Sequence, residues 1–343
     1  MFASESPVLQ PGCKILVTGA SGFVGSHVAD QLLSAGYKVR GTTRDTAKNA
    51  WLVTLFETTY GVGNFELVSV PNLALDEALD AVLEDISGVV HAASDMTFDS
   101  DPNKVIPPMI LATVTLAKAA AKRPNIKRFV FTSSCAAAAS PVPGVWRWIG
   151  KDSWNDEAIA QAWAPPPYSP ERGFSVYAAS KTQCERELWR WYQESSPGFV
   201  LNTVLPSMNM GLSLDPANQG HPSTSGLIEA VYKGYIEATN GAAQYFYVDV
   251  QDNARLHMAA LLHPQIKDER IFAYAAPYTW RDVQTKLSEL YPNKSFVPEI
   301  EPSKLERSHI ELAEKAEVLL KEMGREGWTS LEETLLANTR DLA

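Results

Sequence analysis

The stretch KILVTGASGFVGSHVADQLLSAGYKVRGTTR, residues 14–44, decides the fold. Its apolar start, 14–18, reads as a strand. Gly19, Gly22 and Gly25 follow at three-residue spacing, 25–36 reads as a helix, and 38–43 reads as a second strand. Strand, glycine loop and helix in that order form the context in which this spacing binds a dinucleotide. The missing side chains allow a tight turn, close approach of backbone to a pyrophosphate, and close helix–strand packing. The helix N-terminus adds amide donors and a positive dipole. The second strand of an NAD-binding unit ends in an acid that accepts from the adenosine ribose and repels a 2′-phosphate. Here the basic residues are Arg40 and Arg44, the strand end reads Thr42-Thr43-Arg44-Asp45, and Lys48 stands a turn further on. A guanidinium forks onto phosphate, so Arg44 with Lys48 predicts NADP. Asp45 is the residue that opposes this reading.

Outward from that stretch, β-like runs at 65–70, 88–93, 127–133 and 199–206 alternate with helical spans. The span 103–123 has its first half disturbed by prolines, and 177–195 is a further helix. Repeated strand–helix–strand units predict an α/β, Rossmann-type, doubly wound parallel sheet. After residue 206 the pattern turns irregular: 207–224 reads as loop, 225–238 as helix, and 245–263 as a strand running into a helix. The expected division is a mainly NADP-binding Rossmann domain over 8–206, joined by the strand and helix near 245–263. Residues 207–343 are expected to form mainly a smaller, substrate-binding C-terminal lobe.

The 343 residues carry 45% hydrophobic and 20% charged side chains, as a globular chain does. A net charge of −10 gives no general attraction for nucleic acid or anionic membrane. The N-terminal stretch lacks a basic flank and an apolar run, and Lys118 breaks the most apolar span, so neither a signal peptide nor a membrane helix is expected. Cys13, Cys135 and Cys184 form no metal or disulfide framework. No metal is expected, and a cytoplasmic monomer or homodimer is.

Tyr177 and Lys181, in SVYAASK, stand four apart and therefore share a helix face. A phenol titrates near 10 and serves as a neutral-pH acid only where cations depress it. Lys181 is placed to do so. FVFTSSC supplies Thr132, Ser133 and Ser134 at a strand's carboxyl end, where a group holding a carbonyl oxygen belongs. His91 reads as a packed histidine.

The glycine pattern, HAAS (91–94), FTSS (131–134), YAASK (177–181), VLPSMNMG (204–211) and VDVQDNA (248–254) together resemble the extended short-chain dehydrogenase/reductases. The likeness is to the branch of dihydroflavonol, cinnamoyl-CoA and fungal NADPH-dependent aldehyde (carbonyl) reductases. It implies that Gly19, Ser21, Gly22, Phe23, Val24 and Gly25 cradle the diphosphate. Arg44 and Lys48 would hold the 2′-phosphate, Ala92 and Ala93 would lie along the cofactor, and Pro206 beside the nicotinamide. Asn72 stands where the family has an acid near the adenine, and Met208 and Met210 depart from the usual sequence after Pro206. It also implies Tyr177 as proton donor, with Lys181 lowering its pKa and holding the ribose, and Ser134 rather than Ser133 orienting the carbonyl.

Loops 95–103, 144–175 and 207–227 are expected around the substrate. Their Phe98, Ser207, Met208, Thr224 and Leu227, together with Ser134 and Tyr177, are the expected contacts. Trp146, Trp148, Tyr168, Phe174 and Met210 extend that apolar set. The expected reaction is NADPH-dependent reduction of small-molecule aldehydes and ketones, ketoesters included, to alcohols. A nucleotide-sugar epimerase or dehydratase of the same fold is the alternative; it keeps NAD and usually an acid where Arg44 stands. A non-catalytic NADP-binding regulator would be free to discard Ser134, Tyr177 and Lys181, and a CoA-thioester reductase would want a basic groove not identifiable here.

Overall fold

Ile15, Leu16 and Val17 are all fully buried, which is the mark of a strand covered on both faces. The computed structural model describes residues 6–343; residues 1–5, part of the stretch read above for a signal peptide, lie outside the described residues. Its strands are β1 (Lys14–Thr18), β2 (Lys38–Thr43), β3 (Phe65–Ser69), β4 (Ile86–His91), β5 (Arg128–Thr132) and β6 (Trp148–Ile149). Then follow β7 (Val200–Pro206), β8 (Met208–Met210), β9 (Phe246–Asp249), β10 (Arg270–Ala273), β11 (Ala276–Pro277) and β12 (His309–Ile310). The helices are α1 (Phe23–Ser34), α2 (Trp51–Tyr60), α3 (Asp76–Val82), α4 (Pro102–Ala121), α5 (Asp156–Ala162) and α6 (Gly173–Ser195). They continue with α7 (Pro216–Gln219), α8 (Ser225–Lys233), α9 (Val250–Leu262), α10 (Trp280–Leu290), α11 (Ala313–Glu322) and α12 (Leu331–Thr339).

Seven strands make one parallel sheet in the order β10-β7-β5-β4-β1-β2-β3, as the doubly wound reading expects. Alternate side chains feed two cores. Ile15, Val17, Val90 and Val204 meet Val28 and Leu32 of α1 and Leu256 and Leu261 of α9. Leu16, Val89, Phe129 and Leu201 meet Leu116 of α4 and Leu188 of α6. The strand order reverses between β1 and β4, and the crevice beyond the carboxyl ends there is where such a fold takes its ligand.

Five expectations need correction. The strand near 245–249 does not rejoin this sheet: β9 pairs with β8 and β11 in a separate three-stranded sheet. The returning strand is β10, on β7, and it was not foreseen in a short segment without a flanking turn signal. Residues 207–224 are not continuous loop, since they form β8 and α7. The helix expected over 225–238 ends at Lys233, where Gly234 takes a positive φ of 86°. Finally, α4 runs unbroken through Pro107 and Pro108. The carbonyls those prolines leave unbonded belong to exposed Asn103 and Lys104, near the helix start, where water reaches them. At 20 residues and mean hydropathy 1.3, α4 is long and apolar enough to cross a membrane by length and composition, contrary to expectation. Its Val105 and Ile106 pack on Val176 and Ala179 of α6, and its Leu116 and Ala120 on the sheet.

Five elements, β8, β9, α8, α10 and α12, build the core of the lobe, supplying Met210, Ile228, Val231, Tyr247, Trp280, Leu287 and Leu335.

Candidate active site

The glycine loop leaves β1 at Gly19, whose φ of 66° is one that only glycine takes without strain. A Cβ there would also stand 2.9 Å from Cα of Ala93, so the loop lies directly against the residues that follow β4. Ala93 N–H donates to Thr18 Oγ1 (3.1 Å) and fixes that approach. At Gly25 a Cβ would fall 2.2 Å from the Gly19 carbonyl oxygen, so any side chain there would force the loop open. No side chain caps α1, whose first residues are Phe23, Val24 and Gly25. The amide end therefore faces the crevice uncapped, as an anion site requires. Ser21 is partly exposed beside it, while the Phe23 ring turns inward against His27.

The two arginines separate. Arg40 is a structural tie: it donates to Glu66 (2.8 Å) and to the carbonyls of Ala81, Val82 and Glu84. Arg44 and Lys48 are exposed, and among the described residues neither side chain has an ion-pair partner. Asp45 does not cancel them, because its Oδ1 accepts from Lys48 N–H (3.0 Å) and closes the turn. Asn72 follows β3, exposed, with Oδ1 accepting from Ala74 N–H. Its amide nitrogen is left facing outward.

Across the crevice, α6 presents Tyr177, Lys181 and Glu185 at four-residue intervals, on one face. Lys181 is buried and donates from Nζ to the Thr132 carbonyl (2.9 Å) at the end of β5. Burial pushes its pKa down to about 8, while Cys184 and Glu185 pull it back up. Tyr177 is pushed up to about 12 by burial, and a hydrogen bond with Ser134 draws it downward. Ser133 and Ser134 face opposite ways. Ser133 Oγ donates to Glu185 Oε2 (2.7 Å), whereas Ser134 stands with Tyr177 and caps the turn that follows by accepting from Ala136 N–H. Of the two serines, Ser134 is the one on the Tyr177 side. His91 is packed as expected, its ring nitrogens paired with Thr18 (2.7 Å) and Thr113 (3.2 Å).

Phe98 closes one side, its ring 5.1 Å from that of Tyr177 and its φ at 52°. Phe174 lies 6.3 Å from the same ring. Pro206 ends β7, and Ser207 is buried with its hydroxyl donating to the Phe246 carbonyl (2.7 Å). Met208 and Leu227 are partly buried on the lobe core, and Thr224 donates to the Asn209 carbonyl. Two expected wall residues fall elsewhere. Met210 is fully buried in the lobe core, and Trp148 stacks on His309 (4.6 Å) where β6 meets β12. Glu185, Arg270, His257 and Gln219 were missed. Only Glu185 had a signal in the sequence, the four-residue spacing that continues from Tyr177 and Lys181.

With this geometry in hand, the comparisons are informative. The NAD-dependent epimerase/dehydratase family profile matches residues 15–273. The chain belongs to that family. Among the family's members, aldehyde reductase 2 of Sporidiobolus salmonicolor is 38% identical over 337 residues, 98% of this chain and 97% of that one. The NAD-dependent epimerase/dehydratase terH of Aspergillus terreus is also 38% identical, covering 97% of each chain. Gre2 from Candida albicans, solved in complex with NADPH, superposes with a TM-score of 0.82 at 25% identity, over 96% of this chain and 98% of that one. The extended short-chain dehydrogenase/reductase resemblance and the Rossmann fold therefore stand.

Proposed function

We propose that this chain is an NADPH-dependent carbonyl reductase of the cytoplasm, converting aldehydes and ketones, ketoesters included, to alcohols. The observation that carries the reading is the meeting of Ser134, Tyr177 and Lys181 at the end of β5, opposite the glycine loop. The relative named aldehyde reductase 2 and the NADPH complex of Gre2 support it.

The cradle fits the dinucleotide: the missing side chains at Gly19 and Gly25 let the loop close on Ala93 and on its own backbone, and the uncapped amides of Phe23 and Val24, beside Ser21 and Gly22, would then receive the diphosphate. Arg44 and Lys48 would hold the 2′-phosphate, Asn72 the adenine edge, Ala92, Ala93 and Pro206 the remainder. NADPH supplies the hydride when bound. Ser134 orients the carbonyl oxygen, and Tyr177 Oη gives that oxygen its proton. Lys181, held by the Thr132 carbonyl, would hold the nicotinamide ribose one helical turn from the phenol; the expected lowering of the phenol by Lys181 is not seen, since burial pushes Tyr177 up to about 12. Phe98, Ser207, Met208, Thr224 and Leu227 would line the substrate, an apolar wall suited to aryl and alkyl carbonyls rather than sugars.

The family name keeps one alternative in view, a nucleotide-sugar epimerase or dehydratase. Arg44 disfavours it. Incubation of the purified protein with NADPH or NADH and a panel of aldehydes, ketones and ketoesters, alongside UDP-sugars, tests the reading. Oxidation of NADPH with carbonyl loss supports it, and turnover of UDP-sugars alone overturns it.

A further inference from the structure

Glu185 is the most heavily bonded side chain near the crevice, and the chemistry above leaves it unused. Its carboxylate is fully buried and accepts from Ser133 Oγ (2.7 Å), Thr203 Oγ1 (2.8 Å), Arg270 Nε (2.8 Å), Arg270 Nη2 (3.2 Å) and Trp189 Nε1 (3.3 Å). Burial pushes the carboxyl up, but the Arg270 charge and these donors outweigh it and hold it below the usual carboxylate value. Arg270 is fastened in turn to the carbonyls of Lys151 (2.7 Å) and Ser153 (2.8 Å), with Trp154 4.0 Å from its guanidinium. A buried ion pair adds little net stability over apolar packing, because desolvating two charges offsets their attraction. Its value here lies in what it positions.

Three successive residues leaving β5 are each engaged by one side chain of α6, spaced a turn apart. Lys181 takes the Thr132 carbonyl, Glu185 the Ser133 hydroxyl, and Tyr177 meets Ser134. Because Ser133 is drawn toward Glu185, the extended backbone sends Ser134 the other way, toward the phenol; its φ of −160° and ψ of 154° are those of a strand. We infer that Glu185 is a positioning residue for the proposed carbonyl reduction: through Ser133 it aims Ser134 at Tyr177, and through its charge it keeps Lys181 a cation. This inference rests on the reductase reading. The ionisable groups facing Lys181 are Tyr177, Cys184 and Glu185 on its own helix, His91 from β4 and His257 from α9. The Tyr177 phenol and the Cys184 thiol are each pushed up to about 12 and so uncharged. Cys135 faces Tyr177. Both histidines are neutral in the physiological range, burial having pushed His91 to about 3 and His257 to about 4. Glu185 is the ionised acid among these groups.

The test uses the full-length protein with two substitutions. Ser133→Ala removes the link to Ser134 and leaves the charge. It should lower kcat about tenfold with the NADPH Kd unchanged, and with the alkaline limb of the pH profile unmoved. Glu185→Gln removes the charge as well. It should lower kcat further and move the alkaline limb to lower pH, because Lys181 then loses its proton earlier. Lysine labelled with ¹³C at Cε reads the same titration without turnover, with Lys181 assigned by Lys181→Arg. In Glu185→Gln its midpoint should fall by about one pH unit. An unchanged kcat in Ser133→Ala, or an unmoved Lys181 midpoint in a folded Glu185→Gln protein, overturns the inference. Should Glu185→Gln not fold, Ser133→Ala decides alone. A wild-type protein inactive on every carbonyl overturns the reductase reading instead, and the Lys181 titration still decides the role of Glu185.

Discussion

In the proposed reaction, Tyr177 is the residue whose removal should separate chemistry from binding. Burial pushes its phenol up to about 12, so as an acid it keeps its proton throughout the neutral range and releases it only to a strong acceptor such as the oxygen of a carbonyl under attack. Tyr177→Phe keeps the ring against Phe98 and Phe174 and deletes the proton. Steady-state turnover should fall by roughly two to four orders of magnitude while NADPH affinity, read by fluorescence titration, stays within a few-fold of wild type. Near-normal turnover would remove Tyr177 from the mechanism. In the proposed function Arg44 would hold the other end of the cofactor. Because Arg44 is exposed and Asp45 is committed to its own turn, Arg44→Asp exchanges one phosphate contact for a repulsion without disturbing the fold. It should weaken NADPH by about 1.5–3 kcal/mol or more and leave NADH nearly untouched, which paired calorimetric titrations measure. Equal weakening of both would sink the 2′-phosphate assignment. Candidates of this kind can be read from the sequence because the chemistry restricts the residue type: glycine where a Cβ would collide, a phenol and an amine one turn apart. Arg270 and Gln219 could not be, because their partners lie far off along the chain, and single-sequence spacing carries no such information; Glu185 showed only its place on the helix face and not its pairing with Arg270.

At the scale of elements, the segment after Pro206 is more firmly tied than a plain loop. Gln219 at the end of α7 donates to the Ser21 carbonyl (3.2 Å) and to Ser26 Oγ (3.0 Å), and His27 donates to the Leu212 carbonyl (2.7 Å). The same segment thus reaches the glycine loop through 212–219 and the lobe core through Met208, Met210 and Leu227. Its two ends should answer differently to mutation. Leu227→Trp enlarges a partly buried side chain on the lobe and should shift relative kcat/KM among ketoesters by about 1–3 kcal/mol, with NADPH affinity unchanged. Gln219→Ala frees the Ser21 carbonyl and should weaken NADPH by about 0.5–1.5 kcal/mol with little change in substrate preference. Competition assays on substrate pairs, alongside NADPH titrations, check both halves. If Leu227→Trp left every ratio unchanged, the lobe end of the segment would not line the pocket. Most strands and helices before residue 206 were legible because each carries its own period and bounding turns; β6 and α5, inside the stretch 144–175 read as loop, were not. The elements β8 and α7 are three and four residues long, too short for a period to register, and tertiary hydrogen bonds hold them.

For the whole molecule, the division at residue 206 reads the chain too literally. The sheet is completed by β10, whose Arg270–Ala273 pair with Thr203–Pro206 of β7. One face of the sheet is closed by α9 and α11, and Ala316, Leu319 and Leu320 of α11 pack in the same core as Ile15, Val17 and Val90. Residues more than 250 positions beyond the glycine loop therefore support the strands that carry it. Leu320 is fully buried there. Leu320→Ala removes three carbons from a core already closed on every side, and the cavity left adds to the lost transfer energy, so unfolding stability should fall by about 2–5 kcal/mol. Urea denaturation reads this as a lower midpoint with an unchanged slope. Because Leu320 lies behind the sheet and touches none of Ser134, Tyr177, Lys181 or Arg44, the kcat of the surviving folded fraction at low temperature should match wild type. If α11 belonged only to a separate substrate lobe, the outcome would differ in kind: the substitution would loosen that lobe alone, substrate KM would rise, and the Rossmann half, with its NADPH site, would unfold at the wild-type midpoint.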